Sequence, residues 1–315
     1  MSNSNFNYEK EIKKLEKQLI KLSKNTREKF NIEIQNELNL LISRKTKEIK
    51  NKIRLNKIDE NKTKIPAKNF LSNKNIEKLP GWVKEEINVS SIVGNSKKVI
   101  QTPDKKKYHL DNKLNDLSGG EWTFFLNSVI TTRYSTSGSD SYAHEIRKIH
   151  PSPKPPQLMR EIIEFFTKER GLVFDYFMGV GGTLLGASLC NRKAIGIDLS
   201  EKYISAYKKA TKALNLVEQK TLQADSVNFL KKTSEFSKLL NEEEIDLILI
   251  DPPYGDMMAR EKTGEAAKNK KSSEATPFTN MEVDLGNMEW KKFREVFKDT
   301  IQNASKNLKD KGHIV

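Results

Sequence analysis

Apolar and polar positions change rhythm twice along this chain. Near the N-terminus Ile12, Leu15, Leu19 and Leu22 step by three and four, and Ile34, Leu38 and Leu41 repeat the step. That spacing predicts amphipathic helices, in a hairpin or a short partner-binding coil. Residues 61 to 107 hold Asn, Lys, Ser and scattered Pro with weak periodicity, and predict a linker with little structure of its own. A compact segment opens near Tyr108, and the turn and aromatic cluster between Leu117 and Leu126 read as core. Leu158, Met159, Ile162, Ile163, Phe165 and Phe166 fall on a helical period after a proline start, predicting a helix from Pro156 to Arg170.

Beyond that helix, strand-like and helix-like runs alternate. Leu172 to Tyr176 predicts a buried strand, Gly179 to Gly182 a tight loop and Thr183 to Cys190 a helix. Ala194 to Asp198 is a second strand, Glu201 to Leu214 a second helix, and Thr221 to Asp225 and Ile245 to Ile250 the third and fourth strands. Such alternation places the chain in the α/β class, as a doubly wound parallel sheet with helices on both faces and right-handed crossovers. Three segments are expected: a basic helical appendage over 1–65, a linker over 66–107 and the α/β domain over 108–315.

Composition sharpens this picture in one place. The net charge is +14, and residues 1 to 65 hold 17 Lys and Arg against 9 Asp and Glu, so a net of +8 sits in the first fifth. A polyanionic partner such as nucleic acid is favoured, although an excess of Lys and Asn also follows from genome composition, and charge alone decides nothing. No run of about 18 apolar residues exists, and the opening MSNSNFNYEK lacks the apolar stretch of a signal peptide, so no membrane span and a cytoplasmic location are expected. Cys190 is the single cysteine and there are four His residues, which leaves no disulfide and no expected metal site.

Ligands of an open parallel sheet sit at the carboxyl ends of its strands, where the chemistry is to be sought. The first strand runs into Phe177-Met-Gly-Val-Gly-Gly-Thr183, whose glycines allow a sharp turn and a close approach to a ligand. Its spacing fits neither the dinucleotide fingerprint nor a P-loop. The second strand ends in Asp198, where a carboxylate can accept from both hydroxyls of a ribose, and the third in Asp225-Ser226, placed for the amino edge of an adenine. A helix cap is the plain alternative for a strand-end Asp. The fourth strand ends in Asp251-Pro252-Pro253-Tyr254, the strongest signal in the chain. Two prolines stiffen the backbone there, so the Asp251 carboxylate and the Pro252 carbonyl can accept from one planar exocyclic amine while Tyr254 offers a face to the base.

From about His150 to Val315 the sequence resembles the S-adenosylmethionine-dependent amino-methyltransferases of DNA, of the restriction-modification type. Asp251-Pro-Pro-Tyr254 matches that family's catalytic motif, and Phe174-Asp-Tyr-Phe-Met-Gly-Val-Gly-Gly-Thr183 is similar to its cofactor loop, with Tyr176 and Gly182 departing from the usual residues. The resemblance implies a Rossmann-like class I methyltransferase fold. It also implies cofactor contacts from Asp175, Phe177, Gly179, Gly181, Thr183 and Asp198, and a segment holding His150 and Lys154 that closes over the methionine end. The implied reaction methylates the amine of a base flipped from duplex DNA. Asp at the first motif position favours adenine over cytosine. Methylation at carbon 5 is excluded, because Cys190 has no proline before it and lies in the helix after the cofactor loop. An RNA amino-methyltransferase and a non-catalytic nucleic-acid-binding subunit are the alternatives. The fifth strand is expected only to begin in Asp310 to Val315, as if the domain were truncated there or completed by a second chain; a restriction subunit is another expected partner.

Overall fold

The computed structural model describes residues 13–18, 41–48, 65–127, 129, 132–258 and 277–315. Two compact units divide the chain, Met1–Lys64 and Ile65–Val315. In the first, residues 13–18 and 41–48 are helical, with Leu15 and Leu41 exposed. Ile12, Leu19, Leu22, Ile34 and Leu38 lie outside the described residues.

The second unit opens with a small antiparallel sheet in the order β1 (Ile65–Pro66), β2 (Ser91–Val93), β3 (Val99–Gln101) and β4 (Lys107–His109). Between β1 and β2 come three short helices, α1 (Ala67–Phe70), α2 (Asn73–Glu77) and α3 (Gly81–Glu85). Ala67, Leu79, Val83, Ile92, Ile100 and Tyr108 bury together as its core. The stretch from 66 to 107 is therefore a folded subdomain and not the linker its weak periodicity predicted. Tyr108, expected to open the next segment, belongs to this core. Each of β2, β3 and β4 buries only its central residue, so backbone pairing and the helices complete what apolar alternation does not.

Polar and aromatic contacts occupy the stretch between this sheet and the parallel one. Ser118 starts α4 (Gly119–Phe125) with a capping box: its hydroxyl accepts the Glu121 N–H while the Glu121 carboxylate accepts the Ser118 N–H. Trp122 and Phe125 pack on Phe165, but no residue of α4 is buried and Phe124 and Leu126 are exposed, so the cluster is a half-covered face and not the core its aromatics predicted. After α5 (His144–Arg147), helix α6 (Pro156–Phe166) starts on proline as expected but ends four residues early. Thr167 is extended, with its hydroxyl donating to Ile163 O at 2.6 Å, and Arg170 turns left-handed at φ 65°.

Five parallel strands form the main sheet, β5 (Leu172–Asp175), β6 (Lys193–Asp198), β7 (Lys220–Gln223), β8 (Ile245–Ile248) and β9 (Leu308–Ile314), in the order β7-β6-β5-β8-β9. The fifth strand, expected only to begin at the end of the sequence, runs seven residues beside β8. Linking helices are α7 (Gly182–Leu189), α8 (Glu201–Ala213), α9 (Ser226–Phe229), α10 (Thr233–Leu239) and α11 (Trp290–Ala304). Because the central strands β5, β6 and β8 are buried on both sides, neighbours along them serve different cores. Val173 and Leu247 pack with Met159, Leu184, Leu185 and Tyr207 from α6, α7 and α8. Phe174 and Ile248 pack with Leu230, Phe236 and Ala304 on the other face. The strand order reverses between β5 and β8, so a crevice opens outside the carboxyl ends of those two strands.

Candidate functional site

That crevice is a cavity of about 500 Å³, and every residue singled out from the sequence except Gly181 lines it. At the end of β5, Asp175 is buried and binds the loop beyond the strand. One oxygen accepts the Phe177 N–H at 3.0 Å, the Thr183 hydroxyl donates to the carboxylate, and burial pushes its pKa up to about 7. Phe177 and Thr183 are thus held to the strand end as the chain enters α7. Gly181 stands behind the cavity wall, as the left-handed residue (φ 73°) that starts α7, and a Cβ there would land in the ring of Tyr207. Only glycine meets both demands.

Asp198, at the end of β6, carries the next acid of the site. Its two oxygens each accept a backbone N–H, from Gly179 and from Ser200, both at 2.8 Å. Burial pushes this carboxyl up to about 7 in spite of those donors. A second lone pair remains on each oxygen, so the acid both fastens the glycine loop and offers acceptors to hydroxyls in the cavity. Asp225 is a helix cap that also reaches the cavity. It caps α9 by accepting from Val227 N at 3.0 Å, accepts from Asn228 Nδ2 at 2.6 Å, and lines the cavity. The Ser226 hydroxyl is committed to Tyr176 O at 2.6 Å.

At the end of β8 the chain is fixed by Leu249 N donating to Phe174 O and Ile250 N to Val315 O, and Asp251 comes directly after. Pro252 is buried, and Gly255 N turns back to Pro253 O at 3.0 Å. The Tyr254 hydroxyl donates to Asp251 Oδ1 at 3.0 Å, while its ring is 47% exposed at the mouth. Lys154, expected at the methionine end of a cofactor, directs its Nζ into an ion pair with Asp251 Oδ2.

His150 lies over the glycine loop, stacked on Phe278 at 5.1 Å and edge-on to Tyr203 at 4.8 Å. Burial holds its imidazole down to about 4, so the ring is neutral at pH 7; Nδ1 accepts the Ser152 N–H at 3.1 Å, which assigns the ring proton to Nε2. Sequence reasoning missed the wall opposite. Phe278, Thr279, Val283 and Asp284 come from a segment beyond the proline motif and line the same cavity, and Phe278 O accepts the Tyr203 hydroxyl at 2.6 Å. Their local sequence carries turn residues, Pro277, Asn280 and Asp284 to Asn287, but no strand end that would place the turn at the sheet.

The residues present fit S-adenosylmethionine. A desolvated carboxylate, Asp198, faces the cavity at the position suited to ribose hydroxyls, and Phe177, Gly179 and Thr183 of the loop line the wall beside it. Comparison with known proteins agrees with that chemistry. A family model described as DNA methylase matches residues 2–209. The tRNA (guanine(10)-N2)-dimethyltransferase of Methanocaldococcus jannaschii is 33% identical over 47% of this chain and 41% of its own length. The Type II methyltransferase M2.DpnII of Streptococcus pneumoniae is 38% identical over 21% of this chain and 25% of its own. This chain therefore spans less than half the length of either relative. Among solved structures, TrmN from Thermus thermophilus is 19% identical, with a TM-score of 0.31 over 49% of this chain and 34% of that one.

Proposed function

The chain belongs to the DNA methylase family, S-adenosylmethionine-dependent amino-methyltransferases, and from that premise we propose that it methylates the exocyclic amine of a base flipped out of duplex DNA, with adenine as the target. The observation that carries the proposal is that one cavity joins the Asp198 end of the sheet to Asp251-Pro252-Pro253-Tyr254. S-adenosylmethionine supplies an electrophilic methyl group on a sulfonium. Asp198 would hold its ribose hydroxyls, Asp225 its adenine amino edge, and Asp175, Phe177, Gly179 and Thr183 of the loop would line its path, with His150 closing the methionine end and Gly181 shaping the loop from behind.

On the other side of the cavity, Asp251 and the Pro252 carbonyl accept the two N–H groups of the target amine. Withdrawing proton density in this way raises electron density on the nitrogen, and the geometry for attack is set by the stiff Pro252-Pro253 backbone. Tyr254 stacks on the flipped base. No side-chain nucleophile enters, consistent with Cys190 being buried and its thiol pushed up to about 12 by that burial.

A second reading rests on the Methanocaldococcus jannaschii relative, whose name describes methylation of guanine in tRNA. Labelled cofactor offered with duplex DNA and with tRNA in parallel, then digestion to nucleosides, separates the two. N6-methyladenine from DNA is the expected product; N2-methylguanine from tRNA, with DNA unlabelled, would replace the DNA reading with the RNA one.

Replacing Asp198 with alanine removes the acceptors for the ribose and releases Gly179 N–H. Cofactor affinity is expected to fall by about 1.5–3 kcal/mol. Titration calorimetry measures this directly, and unchanged affinity would take Asp198 out of the site.

A further inference from the structure

Both oxygens of the motif carboxylate are engaged before any base arrives. Tyr254 Oη donates to Oδ1 at 3.0 Å, and Lys154 Nζ pairs with Oδ2. These two contacts have different fates. The Tyr254 ring is half exposed and held by this one hydrogen bond, so a turn of the ring onto a base would free Oδ1. Lys154 holds the opposite oxygen and has no reason to move.

The backbone that delivers Lys154 is unusually constrained. Pro153 and Pro155 flank it, restricting its own dihedrals and those of its neighbours. Its carbonyl accepts from Arg147 Nη1 at 2.8 Å, and Arg147 Nε donates to Tyr142 O at 3.2 Å. Arg147 is 1% exposed and spends its guanidinium on these two carbonyls, with burial lowering its basicity to about 10. Placing a charged group there has a large desolvation cost, which a purely space-filling role would not require. Between the two carbonyls, Tyr142 and Ala143 are both left-handed, at φ 47° and 57°, a strained pair held by the clamp. On its far side Lys154 O packs against Gly182 at the start of α7. Arg147 thus ties Lys154 to the same frame that carries the cofactor loop.

We propose that Lys154 is a positioning residue for Asp251, holding Oδ2 so that Oδ1 faces the target amine, and that Arg147 sets where the Lys154 backbone stands. The inference rests on the reading of Asp251 as the amine acceptor, and it moves Lys154 from the methionine end of the cavity to the target end. It also gives Asp251 an orientation that does not depend on the presence of a base.

Two measurements test it on the full chain. In Lys154→Met, single-turnover methyl transfer to nucleic acid is expected to slow by about 10- to 100-fold, the loss expected from a displaced reacting group, with Lys154→Arg recovering most of the rate. S-adenosylmethionine affinity should stay within about twofold in both variants. A fall in affinity of about tenfold or more in Lys154→Met would make Lys154 a cofactor ligand and overturn the proposal, as would an unchanged transfer rate. The second measurement needs no turnover. Acetic anhydride labelling with peptide mass spectrometry reads the reactivity of Lys154, which should rise several-fold in Asp251→Asn once its partner is neutral. Equal labelling of wild type and Asp251→Asn would show that the pair does not form. A wild-type chain that methylates neither DNA nor RNA would sink the functional reading alone, because labelling and cofactor affinity still report whether Lys154 serves Asp251.

Discussion

Replacing Asp251 with alanine is expected to slow methyl transfer by about two to three orders of magnitude while leaving cofactor affinity almost unchanged. The size follows from losing one of two acceptors for the target amine at the point where its protons are drawn away. The selectivity follows from position, since Asp251 sits at the end of β8 and the acid suited to the ribose sits at the end of β6. Stability should barely change. The Asp251 and Lys154 side chains are 39% and 37% exposed, so their ion pair is screened by water and contributes little to folding. Single-turnover transfer of a labelled methyl, with calorimetry in parallel, measures both quantities. Transfer at the wild-type rate would dismiss the motif as the chemical centre and favour a nucleic-acid-binding subunit without catalysis.

The largest loss of stability is expected from Gly181→Ala. An alanine in left-handed backbone costs about 1 kcal/mol, and forcing its methyl against a filled core costs about 1–3 kcal/mol more. The ring it meets belongs to Tyr207, which is fully buried and hydrogen-bonded through its hydroxyl to Gln219 N at 2.8 Å, so it cannot swing aside. At roughly 2–4 °C per kcal/mol for a unit of this size, the midpoint of thermal unfolding should drop by about 5–15 °C. Gly120→Ala is the matched control. It lies in α4 without a positive φ and meets nothing closer than 3.9 Å, so its midpoint should hold or rise by a few degrees as the helix gains a better helix former. Differential scanning calorimetry of the two variants decides the matter; equal midpoints would mean that the loop takes another path.

The centre of the parallel sheet was legible because β5, β6 and β8 are short apolar runs that end in a turn or an acid, whereas polar β7 and β9 at its edges carry little pattern of their own. Phe177 to Thr183 ends one, and the two prolines after Asp251 end another. The small antiparallel sheet left no such trace. Its strands are two or three residues long and bury one side chain each at most, and more than half its core comes from Ala67, Leu79, Val83 and Ile87 in charged surroundings. The site divides along the same line. Asp198 and Asp251 could be found because a strand end predicts its own neighbourhood. Arg147 reads locally as a surface charge in His-Glu-Ile-Arg, and nothing in that tetrapeptide announces that its guanidinium is buried against Tyr142 O and Lys154 O. Phe278 meets Tyr203 from 75 residues away, a separation over which no local pattern carries information.

The strand β5 bears one more consequence. Val173 belongs to one core and its neighbour Phe174 to the other. In a sheet with one wet face, polarity rejects a one-residue slip, because apolar groups would be turned into water. Here a slip would exchange one greasy environment for another, and polarity would raise no objection. Volume is the remaining guard: a phenylalanine ring does not fit the niche of a valine beneath Leu184 and Leu185. Substitutions of like size should therefore drift freely through β5, whereas a single inserted or deleted residue would jam both cores at once and carry Asp175 out of line with the loop it anchors.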